Sequence, residues 1–489
     1  MLGLWWGWLA CTAWVEDSSS PTPMVHFKLA ADTTLASVAA TPGLEVAQRA
    51  DLLVVRDPTA VEADRQSAQA RQGTEVPDLL RWRRLPAAAG AADALANRLE
   101  AHPGVTVAFV APEVEPASAL PRPSLTDSCP VRTPSYVPHQ GYLGPAPGGI
   151  DVSAAWARPG GRGDGVRFAD IELGWEEDHE DLPNDRITHV AGPVGGPYRA
   201  HGTAVLGEMA ALDNRIGMVG IAPNLSQIFT ASASRIGVAA AIDAAAGRLR
   251  AGDVLLIELH GIGPRGRYIP MEYWDDVFDA IRVATARGVI VIEAAGNGAE
   301  HLDHPAYAGK FDRAKRNSGS IMVGAGAPAR PGRADRSRLN FSNYGSRVDV
   351  QGWGDSVATL HYGDLQRCAD SSTRSYTRQF GGTSSASPIV AGAAVLIQGI
   401  QRAEGRAPLR PNDLRELLVR TGSPQTDGPS GPVHQRIGPR PNLAKALKAL
   451  GPWQYDATRN AVWLEERAPR PGEIVLIDYE VAISGSPPR

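Results

Sequence analysis

Gly382-Thr383-Ser384-Ser385-Ala386-Ser387-Pro388 leads into Ile389-Val390-Ala391-Gly392-Ala393-Ala394-Val395-Leu396. The second stretch is small and apolar on every side, the composition of a buried helix. Proline is tolerated in a first helical turn, so Pro388 predicts a helix start near Ser384. A serine at that point has backbone N–H groups and the positive end of the helix dipole beside its hydroxyl. A nucleophile that attacks a carbonyl and leaves an oxyanion needs both.

Three further stretches supply what such a serine requires. His201-Gly202-Thr203-Ala204-Val205-Leu206-Gly207 opens a helix on a histidine, the candidate base, and its two glycines predict close packing against another element. Val166-Arg167-Phe168-Ala169-Asp170-Ile171 reads as a buried parallel strand with Asp170 near its C-terminal end, where open α/β sheets hold their sites. Glu293-Ala294-Ala295-Gly296-Asn297-Gly298 follows the β-branched run Val289-Ile290-Val291-Ile292 and offers an asparagine amide as oxyanion donor. Singly, each has a structural reading: a capping histidine, a strand-end aspartate that closes a turn, a plain Ala-Gly-Asn turn.

Taken in chain order, Asp170, His201, Asn297 and Ser384 resemble the active-site motifs of subtilisin-like serine proteases, the subtilases, whose triad runs Asp, His, Ser. His201–Gly207 resembles the family's His-Gly-Thr-x-Val-x-Gly motif, and His179-Glu180-Asp181-Leu182 its His-Pro-Asp-Leu landmark. The resemblance covers roughly residues 141–450. It implies a three-layer α/β fold with a mostly parallel twisted sheet and helices on both faces. Asp170, His201 and Ser384 are then the triad, and Asn297 is the oxyanion-hole residue. Family members carry a small hydroxyl residue and a glycine after the aspartate; here Ile171 and Glu172 follow, with Gly174-Trp175 beyond. The long separations after His201 imply surface insertions, for which the polar stretches 313–318 and 328–338 are the candidates.

The flanking segments divide the rest of the chain. Residues 1–20, apolar through Leu9-Ala10-Cys11, read as a signal-like leader and predict export, as a secreted or cell-envelope protein, with membrane attachment only through lipidation at Cys11. Residues 25–111 form a small α+β domain, with strands at Val25–Leu29, Leu52–Val55 and Val105–Val110 and a helix over Ala88–Ala101. This resembles the propeptide of secreted subtilases, which lays an extended strand in the cleft. Residues 112–140 are Pro-rich and read as a linker, 141–450 as the catalytic domain, and 451–489 as a β-rich extension with strands at Ala461–Leu464 and Glu473–Asp478.

A chain of 489 residues with net charge −4 gives no support for nucleic acid as a partner. Three cysteines have no zinc-ligand spacing; Cys129 and Cys368 fit either one disulfide in an oxidising compartment or two buried thiols. The expected function is a monomeric serine endopeptidase acting on polypeptides, made as a self-processing zymogen that its own N-terminal segment blocks. The chemistry requires no cofactor; calcium stabilises relatives, but no loop is assigned to it and no metal site is expected.

Substrate-binding residues are expected at Leu259, His260 and Gly261, which stand where the family has a Ser-Leu-Gly-Gly-like strand, and at Ala295 and Gly296, whose small size leaves room for an apolar side chain. The departures at Ile171-Glu172 and Leu259-His260 motivate a rival, a catalytically silent subtilase-like peptide-binding protein. A second rival, the acid-active serine-carboxyl peptidases, lacks this histidine and has an aspartate where Asn297 stands.

Overall fold

The apolar runs at Arg167–Glu172, Val254–Ile257, Ile290–Ala294 and Ile321–Gly326 are neighbouring strands of one parallel sheet, buried on both faces. Strands that shed water on both faces need no alternation, which is why they read as continuous apolar sequence. The computed structural model describes residues 22–118, 129–368 and 371–451, together with the strands Trp453–Asp456 and Ala461–Leu464. The leader with Cys11 and the strand expected at Glu473–Asp478 lie outside the described residues.

The sheet has seven strands, in the order Val350–Trp353, Ile321–Gly326, Ile290–Ala294, Val254–Ile257, Arg167–Glu172, Gln227–Ser232, Ile187–Ala191. Helices Arg199–Ala210 and Thr383–Ala403 pack on each other and on the sheet, and Val238–Ala246 with Asp275–Ala286 makes a second packed pair. The result is a three-layer α/β fold. Among the described residues, Thr383–Ala403 is the one helix long and apolar enough to cross a membrane, yet it is wholly buried as the core helix. It begins at Thr383, so Pro388 falls in the second turn rather than the first.

The chain divides into two compact units. One comprises residues 22–63 and 78–113. Its four-stranded antiparallel sheet runs Asp51–Leu52, Trp82–Pro86, Met24–Leu29, Val105–Val110, with the helix Ala92–Glu100 burying Leu95 and Leu99. The other comprises residues 64–77 and the chain from Val114 onward. Inside the stretch expected to be a linker, Val114–Pro116 is a strand of this second unit, paired antiparallel with Leu259–Ile262. Cys129 and Cys368 are joined as a disulfide.

A buried ion cluster ties the third layer to the sheet. Arg347 grips Glu272 with two hydrogen bonds, Nε to Oε1 at 2.6 Å and Nη2 to Oε2 at 2.8 Å, and reaches Asp349 at 3.0 Å. Both Arg347 and Glu272 are almost wholly buried. Burial pushes the Glu272 carboxyl up, but the Arg347 guanidinium outweighs it and holds the group ionised. Burial and the Glu272 charge together lift the nearby Glu293 to about 8. Removing one partner strands the other charge, so Arg347→Ala should lower the unfolding free energy by about 3–5 kcal/mol. Urea unfolding in a Ser384→Ala background measures it.

Candidate active site

Glu172 is the last residue of the strand Arg167–Glu172, and Asp170 lies two positions earlier on the same face. The two carboxylates have different partners. Glu172 Oε1 is hydrogen-bonded to His201 Nδ1, and its Oε2 accepts from the Leu173 N–H at 3.3 Å. Asp170 Oδ2 accepts from Trp175 Nε1 at 2.8 Å, and its Oδ1 has no partner. The expected pairing of Asp170 with His201 is therefore corrected. The acid at the strand end meets the histidine, and the one deeper in the sheet is held by an indole. The acidic-x-glycine spacing of the family belongs to Glu172-Leu173-Gly174.

His201 sits in the first turn of the helix Arg199–Ala210. Gly202 lets that helix close on the strand end, because a Cβ there would lie 2.5 Å from the Trp175 ring and 2.4 Å from the Gly174 carbonyl oxygen. The Phe380 ring packs edge-on against the imidazole, with centroids 5.3 Å apart. His201 is fully buried, which pulls its pKa down to about 3, and its Nε2 has no hydrogen-bond partner. Burial drives the Glu172 carboxyl upward, and the Leu173 N–H works against that shift.

Ser384 is the second residue of the helix Thr383–Ala403. Its Oγ donates to the Glu258 carbonyl at 3.2 Å. Its N–H donates to the Ala117 carbonyl at 2.9 Å, while the Ala117 N–H donates to the same Glu258 carbonyl at 2.9 Å. The strand Val114–Pro116 and the residue after it thus run across the end of the Ser384 helix. Gly382, at φ +99°, permits the approach: a Cβ there would stand 2.3 Å from the Ala117 carbonyl oxygen. Asn297 lies beside them, its Oδ1 accepting from the Thr383 N–H and Oγ1, both at 3.0 Å, which turns its NH2 donors away from Thr383.

Leu259, His260 and Gly261 carry the register, facing Pro116, Glu115 and Val114 in turn. Ala295 and Gly296 belong to the adjoining loop, where the Ala295 carbonyl accepts from Asn343 Nδ2 at 2.7 Å. Asn343 also accepts from the Gly298 and Glu300 N–H groups, at 3.0 and 2.8 Å, and so fixes the loop that carries Asn297. Sequence reasoning missed Asn343, Glu172 and the strand at Val114; for Glu172 the glycine two residues later was the available signal. Glu208 and Glu258 are further buried carboxyls behind the site, both driven upward by burial. Among the described residues no group of three or more His, Cys, Asp or Glu side chains could hold a metal ion.

A family model described as the subtilase family matches residues 176–439. Subtilisin BL of Lederbergia lenta is 30% identical over 283 residues, 57% of this chain and 92% of that protein. An alkaline protease of Alkalihalobacillus alcalophilus is 30% identical over 285 residues, so the chain spans only 65% of that relative's length. The solved structure of an epidermin leader peptide processing serine protease from Staphylococcus aureus superposes with a TM-score of 0.55 at 16% identity, over 88% of this chain and 99% of that one. That likeness concerns the fold alone.

In the Ser384→Ala chain, the strongly deshielded ring N–H proton of His201 should vanish in Glu172→Gln and persist in Asp170→Asn, as proton NMR will show. The ring itself should titrate near pH 3 rather than 6.5. The unfolded chain takes up this proton first, so this group's contribution to stability is lost as the pH falls from about 6.5 towards 3.

Proposed function

The chain belongs to the subtilase family, a family of serine-type endopeptidases, and from that premise we propose that it hydrolyses peptide bonds with Ser384 as nucleophile, His201 as general base and Glu172 as the acid that orients the base. Ser384 Oγ turns from the Glu258 carbonyl to His201 Nε2, gives up its proton and attacks the substrate carbonyl carbon. Glu172, ionised for this step, keeps the imidazole proton on Nδ1 and stabilises the ring once it is charged. The oxyanion is met by the Ser384 N–H and the Asn297 NH2. His201 then protonates the leaving amine, and water releases the acyl group with His201 again as base.

The observation that carries this reading is the hydrogen bond from the Ser384 N–H to the Ala117 carbonyl, 2.9 Å long. A peptide carbonyl of the chain itself rests on an oxyanion donor, in a strand paired to the neighbouring edge as a substrate would be. The same contact supports a zymogen that cuts its own Ala117–Ser118 bond and separates the N-terminal unit from the catalytic one. The chemistry needs no cofactor. The Cys129–Cys368 disulfide supports export to an oxidising compartment.

The expressed chain should shorten to a form beginning at Ser118, whereas Ser384→Ala keeps its N-terminal segment; intact mass and N-terminal sequencing distinguish them. Fluorophosphonate labelling of Ser384 in the processed form decides against the silent peptide-binding alternative. Glu172→Gln should lower kcat by roughly 10⁴-fold, Asn297→Ala by about 10²–10³, and Asp170→Asn far less than Glu172→Gln.

A further inference from the structure

The register of the bound strand decides which side chains share a face with Ala117. Glu115 lies opposite His260, and Tyr268 opposite Ile262 on the far edge of the same three-stranded sheet. Side chains alternate along a strand, and directly opposed residues share a face. Ala117, Glu115, His260, Ile262 and Tyr268 therefore all project from one face. Ala117 is the residue whose carbonyl rests on Ser384, and it is fully buried. Its side chain is a single methyl group.

Two segments flank this end of the strand: the wall Leu259-His260-Gly261 paired beside it, and the wall Ala295-Gly296-Asn297, whose Asn297 is bonded to Thr383 next to Ser384. Small residues at 295 and 296 favour an open slot between them, but His260 closes it. Its Nδ1 accepts the Asn297 N–H at 3.3 Å, a hydrogen bond from one wall to the other. Its Cβ stands 3.5 Å from the point where a Cβ on residue 296 would be, so any side chain added at 296 would already touch it. The imidazole cannot swing aside cheaply. It is stacked on the Tyr268 ring, centroids 3.9 Å apart and planes 8° from parallel, and only 3% of the residue is exposed. Tyr268 is held in turn, its hydroxyl donating to Glu115 at 2.9 Å.

We infer that His260 sets the specificity of the proposed protease, by filling the space that a large side chain would need and confining cleavage to bonds that follow alanine, glycine or serine in an extended chain. The inference rests on the catalytic reading of Ser384 given above. It also gives a reason for the position of the chain's own bond: the stretch Val114-Glu115-Pro116-Ala117-Ser118 puts a small residue at the point of attack. Uncharged, wedged and stacked, the ring acts as a plug rather than as an acid or base. Burial, reinforced by the nearby His201, holds its pKa down to about 3.

The test uses the enzyme after self-processing, beginning at Ser118, and five peptide p-nitroanilides, Val-Glu-Pro-Xaa with Xaa as Gly, Ala, Ser, Leu or Phe. The alanine peptide should exceed the phenylalanine peptide in kcat/KM by about 100-fold or more. His260→Gly should bring the two within about tenfold, mainly by raising hydrolysis of the leucine and phenylalanine peptides. Within the chain, Ala117→Phe should leave the precursor uncut, and adding His260→Gly should restore cutting. Active-site titration with a fluorophosphonate runs in parallel and separates the two readings. A labelled enzyme that prefers leucine or phenylalanine, or accepts all five peptides equally, overturns the role of His260 and leaves the catalytic reading standing. Absence of both labelling and hydrolysis overturns the catalytic reading, and this inference with it.

Discussion

Six of the seven parallel strands, all but the edge strand Ile187–Ala191, are buried on both faces, and that constraint decides where polar groups can stand. A carboxyl in the middle of such a sheet has no water and few donors; one at a strand end meets the helix termini. Asp170 and Glu172 are on one strand face, two residues apart, and experience those two situations. Asp170 receives a single indole N–H and keeps an orphan oxygen, whereas Glu172 reaches the imidazole that opens the next helix. The glycines at 202 and 382 serve the same geometry, since each removes a Cβ that would hold the helix or the crossing strand away.

Much of this was legible in the chain. The strands Arg167–Glu172 and Ile290–Ala294 followed from their apolar runs, and the helix Thr383–Ala403 from its small, apolar composition. Ser384, His201 and Asn297 were singled out because each lies within a local motif. What sequence reading could not supply were facts of pairing between distant segments. Val114–Pro116 is only three residues long, too short for any period, and its proline made it look like a linker; it is a strand because Leu259–Ile262 offers an edge 143 residues further along. Asn343 carries no motif of its own and matters through four hydrogen bonds to the loop at 295–300 and to Tyr268. The choice of Asp170 over Glu172 came from reading residue type before spacing. The longer side chain at 172, not the aspartate at 170, bridges to the ring.

His260 shows how a single substitution in a motif can be heard only in three dimensions. In the linear pattern it is a flaw in a Ser-Leu-Gly-Gly-like strand. In the fold it is a stacked, buried ring joining two walls. The departure that made the substrate edge look degraded in sequence is, in space, a well-packed feature with hydrogen-bonded and aromatic partners.

The antiparallel pairing at Leu259–Ile262 has one more consequence. Most of the bonds it makes are to backbone N–H and C=O groups, which every polypeptide carries. Such an edge does not read a surface; it reads whether a stretch of chain can straighten and leave its own hydrogen bonds. Residues locked into helices or interior strands cannot do so without local unfolding, whereas loops, tails and unfolded chains can. In the proposed protease the cleft is thus a sensor of conformational freedom first and of side-chain identity second, and a well-folded neighbour is protected by its own stability.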